Sequence, residues 1–187
     1  MEETIPLGSE AYFIFLAALT FGRGMDFLST WVATPNLVLE ANPIARKLGW
    51  KWGLLLNVAL CGGFARWPLA AVIITTTSLL VAARNFQSAW LMRYLGELRY
   101  SSRMIEHLER VPLGLYLGCL AGQTFLVGGV GACLMFFCDL DLIPFGIGVG
   151  LVGYAFAVLF YSLLSLWRIR RQSAKTYAMT DPDGPEQ

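Results

Sequence analysis

Two charged side chains and a hydroxyl share one face of the first long apolar stretch of this sequence. Arg23, Asp26 and Thr30 are spaced so that on a helix they fall within about 60° of one another. A charge at membrane depth costs about 2.5–3.5 kcal/mol on the insertion scale, and a guanidinium and a carboxylate three residues apart can neutralise each other. The pattern predicts a polar site that faces the interior of a helix bundle.

The loop after this stretch adds further polar residues. Asn42 is a favourable helix N-cap and Pro43 a favourable first helical residue, so an interfacial helix is predicted to begin at Pro43. Glu40 lies just ahead of that N-terminus, where a carboxylate is stabilised. Arg84 and Asn85 end a later apolar stretch on the same predicted side, and Arg84 is the predicted ion-pair partner of either acidic side chain of the site.

The predicted ligand-binding residues therefore lie toward one membrane face: Asp26, Thr30, Glu40, Asn42, Arg84 and Asn85, with Arg23 and Arg84 as structural ion-pair partners. Their oxygen atoms suit a hard cation, and a lipid headgroup or a small polar solute are the other ligands considered. Two alternatives stay open. In the first, the polar residues only fix helix packing in a structural or assembly protein. In the second, Asp26 and Glu40 act as acid and base on a lipid-linked substrate.

The enzyme alternative has the least support from the sequence. The chain has no second cluster of metal ligands and no GxSxG motif, and its one His, His107, lies far from the four Cys residues. We therefore assign no catalytic residue, no metal and no cofactor.

These residues also form a motif. Asp26-x-x-x-Thr30, followed by Glu40-x-Asn42-Pro43 and by Lys51 at the start of an apolar stretch, resembles a prokaryotic integral membrane family, domain of unknown function 5658. The resemblance covers residues 15–90 and implies a polar site near one membrane surface. It implies no activity, because none is established for that family. Residues 100–187 have no counterpart in the motif.

The composition excludes most other classes of protein. Of the 187 residues, 56% are hydrophobic and 14% charged, against about 45–50% and about 25% in soluble globular domains. Intrinsic disorder is excluded for most of the chain, and a net charge of +1 gives no support for binding nucleic acid. We predict a single all-α, polytopic membrane domain.

Five spanning helices are predicted from apolar stretches of about 20 residues. They lie near 11–33, 48–65, 68–85, 112–137 and 144–167. Whether the stretch 48–83 crosses once or twice is an open choice, and a charge and a Pro within 62–68 favour a turn and two crossings. Residues 96–110 are predicted to form a cytoplasmic surface helix, and 168–187 a partly disordered cytoplasmic tail.

The positions of the basic residues predict the orientation. Twelve of the 14 Lys and Arg residues lie in 34–51, in 84–111 or in the tail from Arg168, which five spans place on one side. Basic residues accumulate on the cytoplasmic side, so the N-terminus is predicted outside and the C-terminus inside. With the resemblance, this indicates the cytoplasmic membrane of a prokaryote.

Glycines mark the last two predicted spans. Gly114, Gly118 and Gly122 recur every four residues, and Gly146 and Gly150 lie in a run that includes a GxGxxG pattern. A dinucleotide site needs a strand ahead of that pattern, whereas these surroundings are apolar, so close helix packing is predicted instead. The two spans are expected to pack on each other or on a second copy of the chain. Membrane lipids are the other expected partners.

Overall fold

The computed structural model describes residues 4–40 and 43–180, with side chains for all of these except 43–45 and 172–180. Its described part is helical without a strand, which confirms the predicted all-α class. The helices are α1 (Glu10–Ala33), α2 (Pro43–Phe64), α3 (Pro68–Leu95), α4 (Glu97–Arg110), α5 (Leu113–Phe137) and α6 (Leu142–Thr180).

Local signals set several helix ends. Ser9 caps α1 by accepting a hydrogen bond from the Tyr12 N–H, with Oγ and N 3.2 Å apart. Pro68 begins α3 at a position where a backbone N–H has no partner in the helix. Gly96 ends α3 with a φ of 78°, a conformation that glycine adopts without strain. α3 therefore continues beyond the predicted span end at 85, because no Gly or Pro interrupts it earlier.

α2 contains a break at Gly49, where φ is 66° and ψ is −176°. The break separates the short segment 43–48 from the helix that continues to Phe64. The sequence predicts an interfacial helix that runs into the second span, and Gly49 lies between those two parts. The chain then turns at 65–67, between the predicted second and third spans.

Four helices of the described part are long and apolar enough to cross a membrane: Glu10–Ala33, Pro68–Leu95, Leu113–Phe137 and Leu142–Arg171. This makes the chain compatible with an integral membrane protein. α2 is not one of the four, because Arg46, Lys47 and Lys51 occupy its first half. The predicted count of five spans is therefore approximate.

α1 and α3 lie side by side and run parallel. Their contacts keep a similar offset along the sequence, with Gly22 against Thr75, Ser29 against Asn85 and Thr34 against Glu97 just beyond the helix ends. Because two parallel neighbours require the chain to return between them, α2 must lead back from the far end of α1 to the start of α3.

Hydrogen bonds at both ends of α2 place it along this return path. Near its beginning, Trp50 Nε1 donates to the Pro35 carbonyl that follows α1, at 2.8 Å. Beyond its end, the Arg66 carbonyl accepts from the Ile5 N–H that precedes α1, at 2.9 Å. α2 therefore connects the two ends of the α1–α3 pair, although its first half carries three basic residues.

α6 packs parallel to α3 through two of the predicted packing glycines. A Cβ added at Gly146 would lie 2.9 Å from Val72 Cγ1, and one added at Gly150 would lie 2.8 Å from Thr76 Cβ. Side chains at these two positions would push the helices apart. The glycines thus allow α3 to contact α1 on one side and α6 on another.

α5 packs antiparallel on α6, but not through its predicted glycine stripe. A Cβ added at Gly131 would lie 2.7 Å from the Gly148 carbonyl oxygen, whereas one added at any residue of the stripe would meet nothing within 4 Å. The stripe consists of Gly114, Gly118 and Gly122. These three lie about 140° around the helix from the buried face that includes Leu120 and Gly131, so they point away from α6.

The surface helix and the tail lie at the basic end of the bundle. α4 has no buried residue, and it joins the end of α3 to the beginning of α5. α6 remains helical to Thr180, past the predicted span end at 167, because 168–180 contain neither Gly nor Pro. The rest of the predicted disordered tail, 181–187, lies outside the described residues.

The two glycine environments on α5 predict opposite effects of one methyl group. Gly131→Ala should lower the melting temperature in detergent, because its Cβ meets backbone of α6, and overpacking costs about 1–3 kcal/mol. Gly118→Ala should leave it unchanged or raise it, because alanine is the better helix former and its Cβ has open space. Equal shifts for the two variants would contradict the helix packing described above.

Candidate functional site

The central feature of the candidate site is an ion pair within α1. Arg23 Nη1 lies 2.9 Å from Asp26 Oδ2, and their side chains are 30% and 19% exposed. The two residues are near the middle of an apolar helix, where neither charge is tolerated alone. Their spacing of three residues places both on one face, so each side chain provides the counter-charge of the other.

Arg23 also connects α1 to two other helices. Its Nε donates to Asn57 Oδ1 of α2 at 2.7 Å, and its Nη1 donates to Ser78 Oγ of α3 at 3.3 Å. Asn57 in turn donates from Nδ2 to the Gly53 carbonyl at 2.8 Å, which orients its amide oxygen toward the guanidinium. The Arg23 guanidinium thus donates hydrogen bonds to acceptors on three helices.

A second group of polar residues lies about one turn further along the α1–α3 interface. Asn85 Nδ2 of α3 lies 3.2 Å from Ser29 Oγ and 3.3 Å from Thr30 Oγ1, and donates to these hydroxyls. Ser29 is fully buried and its own hydroxyl donates to the Asp26 carbonyl at 2.9 Å. Two of the predicted site residues, Thr30 and Asn85, are therefore in contact and connect to Asp26 through one serine.

The loop after α1 closes around a carboxylate from the start of α4. Glu97 accepts hydrogen bonds from the Thr34 hydroxyl at 2.8 Å, from the backbone N–H of Asn36 at 2.9 Å and from that of Val38 at 3.0 Å. The Asn36 side-chain amide adds a fourth at 3.1 Å. Leu37 between these donors has a φ of 56°, which turns successive N–H groups toward one anion.

The pKa of Glu97 reflects these donors. Partial burial raises the pKa of this carboxyl, but the hydrogen bonds from Asn36, Thr34 and Val38 outweigh burial and hold the pKa below its ordinary value. Glu97 is therefore ionised at neutral pH, and the loop forms an anion site that the chain itself occupies.

The other predicted site residues differ in how close they lie to Asp26. Glu40 lies close enough to Asp26 for the two carboxylates to interact electrostatically. Asn42 lies outside the described residues. Arg84 is exposed and is not part of the ion pairs found among the described residues, so its pairing with either carboxylate stays a prediction. Asn85 faces α1, and the residue before it is rotated by about 100°.

Three residues of this network are not among those predicted from the sequence. Asn57 is the single amide within an apolar stretch of α2, and that isolation was a signal that it needs a polar partner. Ser78 lies in a run of hydroxyl residues. Hydroxyls in a helix often bond to carbonyls of the same helix, as Thr77 does to the Ile73 carbonyl at 2.9 Å, so the sequence does not show that Ser78 binds a residue of another helix. Glu97 is one of several charges on α4, and only the folded loop distinguishes it.

The arrangement provides neutral and anionic oxygen atoms along one interface. Two carboxylates and one guanidinium lie in electrostatic range of each other, and hydroxyl and amide groups adjoin them. Among the described residues, no group of three or more His, Cys, Asp or Glu is placed to hold a metal ion. The site can therefore bind a polar group through oxygen atoms, without the ligand cluster typical of a transition metal.

The Glu97 contacts predict a pH-dependent contribution to stability. Glu97→Gln should lower the free energy of unfolding by about 1 kcal/mol at pH 7, because the amide cannot accept from all four donors, although water partly screens these exposed contacts. A lowered folded-state pKa means that the stabilisation is fully present above the ordinary value of 4.5 and is lost as pH falls through the folded value. The difference in melting temperature between wild type and variant should therefore shrink below about pH 4.5.

Glu106→Gln is the matched control for this measurement. Glu106 is also on α4 and pairs with Arg110 at 2.6 Å, but both side chains are more than half exposed. Such a pair contributes little, so Glu106→Gln should change the free energy of unfolding by at most about 0.5 kcal/mol at every pH. A control that behaves like Glu97→Gln would show that the loop contacts are not the cause.

Comparison of the chain with protein-family models, with curated proteins and with solved structures finds no match. The resemblance to the family of unknown function therefore stays a prediction, and the function must be inferred from the residues of the site.

Proposed function

We propose that this chain is an integral membrane protein that binds a small monovalent cation between Asp26 and Glu40, at the end of the α1–α3 interface. The observation that carries the proposal is the charge around Asp26. Arg23 attracts its carboxylate and Glu40 repels it. A small cation placed between Asp26 and Glu40 would be attracted by both carboxylates and would relieve their mutual repulsion.

Neutral ligands for the cation adjoin the carboxylates. Thr30 and Asn85 lie on the same interface, one turn from Asp26, and each has an oxygen atom that can coordinate a hard cation. Asn85 donates to the hydroxyls through its Nδ2, so its carbonyl oxygen is not used in these hydrogen bonds. A site built from hydroxyl and amide oxygens with two carboxylates suits Na⁺ or K⁺ better than a metal that prefers nitrogen or sulfur.

Cation binding predicts a salt-specific thermal shift. The melting temperature of the protein in detergent should rise saturably with NaCl or KCl, but not with N-methyl-glucamine chloride at the same ionic strength. At a concentration of 100 Kd, a bound ligand adds about 2.7 kcal/mol to the stability. Asp26→Asn should abolish the difference between salts, because the amide keeps the shape of the side chain and loses its charge.

Glu10→Gln is the control for Asp26→Asn. Glu10 is an exposed carboxylate at the other end of α1, so its loss should leave the salt-specific shift intact. Identical melting curves of the wild type in all three salts, or an unchanged shift in Asp26→Asn, would refute cation binding at this site.

One observation favours a structural role as the second candidate. Arg23 binds acceptors on α1, α2 and α3, so the network also fixes the depth of these helices relative to each other. If this is its whole role, Asp26→Asn lowers the melting temperature by the same amount in every salt. The experiment above thus separates the two candidates.

We further propose that α2 is a fifth crossing and that the basic end of the bundle lies in the cytoplasm. The support is the parallel arrangement of α1 and α3, which requires a return between them, and the separation of charge along the bundle. The described segments 46–51, 84–110 and 168–171 lie toward one end, and Arg66 lies at the other. Because basic residues accumulate on the cytoplasmic side, this separation supports an N-terminus outside and a C-terminus inside, and the resemblance to a prokaryotic family supports the cytoplasmic membrane of a prokaryote.

Reporter fusions test this orientation. Fusions at residues 66 and 140 should give the signal of the external side, and fusions at 47, 100 and 175 the signal of the cytoplasm. If α2 does not cross, residues 47 and 66 lie on the same side of the membrane. The same signal at 47 and 66 would therefore reject the five-crossing arrangement.

A further inference from the structure

A groove runs along the outer face of α5 at the end of the bundle opposite to the basic segments. Its volume is about 750 Å³, and it extends from Phe125 along α5 to Phe137, with Pro144 of α6 and the loop 138–141 at its end. The groove is mostly apolar, and several side chains that line it are strongly exposed; Phe125 is 79% and Phe137 is 76% exposed. This surface belongs to neither of the two candidate functions above.

The length of the groove matches one leaflet of a bilayer. Phe125 and Phe137 are twelve residues apart, which corresponds to about 18 Å along a helix. Half of a hydrocarbon core of about 30 Å is about 15 Å. Because the groove ends at the loop between two spanning helices, it runs from the membrane surface to about the middle of the bilayer.

The mouth of the groove is acidic. Asp139 and Asp141 both line it, both are exposed, and neither side chain has a hydrogen bond or an ion pair with another described residue. The loop is held in place by its backbone, in which the Asp141 N–H donates to the Cys138 carbonyl at 2.8 Å. Two fixed carboxylates at the membrane surface attract a positive charge and repel a negative one.

We propose that this groove binds a membrane lipid whose headgroup carries a primary ammonium group. One acyl chain lies against α5, between Phe125 and Phe137, and the ammonium group donates to the carboxylates of Asp139 and Asp141. Three features of the groove favour this lipid: the acidic mouth complements the ammonium charge, the lining is mostly apolar, and the length matches one leaflet. A lipid with an anionic headgroup fits the groove equally well but meets two like charges.

Native mass spectrometry of the full-length protein tests the proposal. The protein is delipidated in detergent and offered phosphatidylethanolamine or phosphatidylglycerol with identical acyl chains. The wild type should retain phosphatidylethanolamine about fivefold better, which corresponds to the upper range for one exposed ion pair. Equal retention of the two lipids would overturn the proposal.

Variants at the mouth test the role of the carboxylates. Asp139→Asn with Asp141→Asn should reduce retention of phosphatidylethanolamine to the level of phosphatidylglycerol. Asp139 has a φ of 47°, and asparagine tolerates this left-handed conformation, so Asp139→Asn alone provides a variant that keeps the loop. Glu10→Gln removes an exposed carboxylate from the same end of the bundle and should leave the preference unchanged. A preference that survives in the double variant contradicts the proposal.

A groove-filling variant tests the position of the acyl chain. Gly129 lines the groove, and a Cβ added there would meet no protein atom within 4 Å. Gly129→Phe should therefore place an aromatic ring in the groove and reduce retention of both lipids at least several-fold, and an unchanged melting temperature would show that the helix packing is kept. Unchanged retention of phosphatidylethanolamine in this variant would place the lipid elsewhere and overturn the proposal.

Discussion

A guanidinium inside a hydrocarbon layer has no water to bind, so the helices around Arg23 must supply its acceptors. Asp26 supplies a carboxylate from α1, Asn57 an amide oxygen from α2, and Ser78 a hydroxyl from α3. Because the acceptors are on three helices, this one cation fixes the depth of each helix relative to the others. The serine hydroxyl is short, and it reaches Arg23 only because α1 and α3 approach closely, with Gly22 against α3.

The part of the site that could be predicted is the part set by spacing within one helix. Arg23 and Asp26 are three residues apart, and any helix places them on one face. The contact of Thr30 with Asn85 also agrees with the predicted convergence of α1 and α3. Contacts that depend on helix rotation could not be predicted in this way. Arg84 and Asn85 differ by about 100° around α3, and hydropathy does not decide which of the two faces α1.

The same limit applies to the glycines of α5 and α6. Gly146 and Gly150 allow α6 to approach α3 closely. At Gly114, Gly118 and Gly122, by contrast, an added Cβ would meet no atom of another helix within 4 Å in the described part of the chain. Spacing shows that such residues share a face, and only the buried side chains of the whole bundle decide which face is used. The contacts of Glu97 were even harder to predict, because its four donors come from a loop more than fifty residues away in sequence.

The helices differ in hydropathy, and this difference affects how each of them can insert into a membrane. α5 and α6 are both long and apolar, and they contact each other through backbone at Gly131 and Gly148, so this hairpin is suited to leave the translocation machinery as an independent unit. α2 has a shorter apolar part that contains an amide. If α2 crosses the membrane as we propose, its amide has a partner in hydrocarbon only when Arg23 binds it, so we expect stable insertion of α2 to depend on α1.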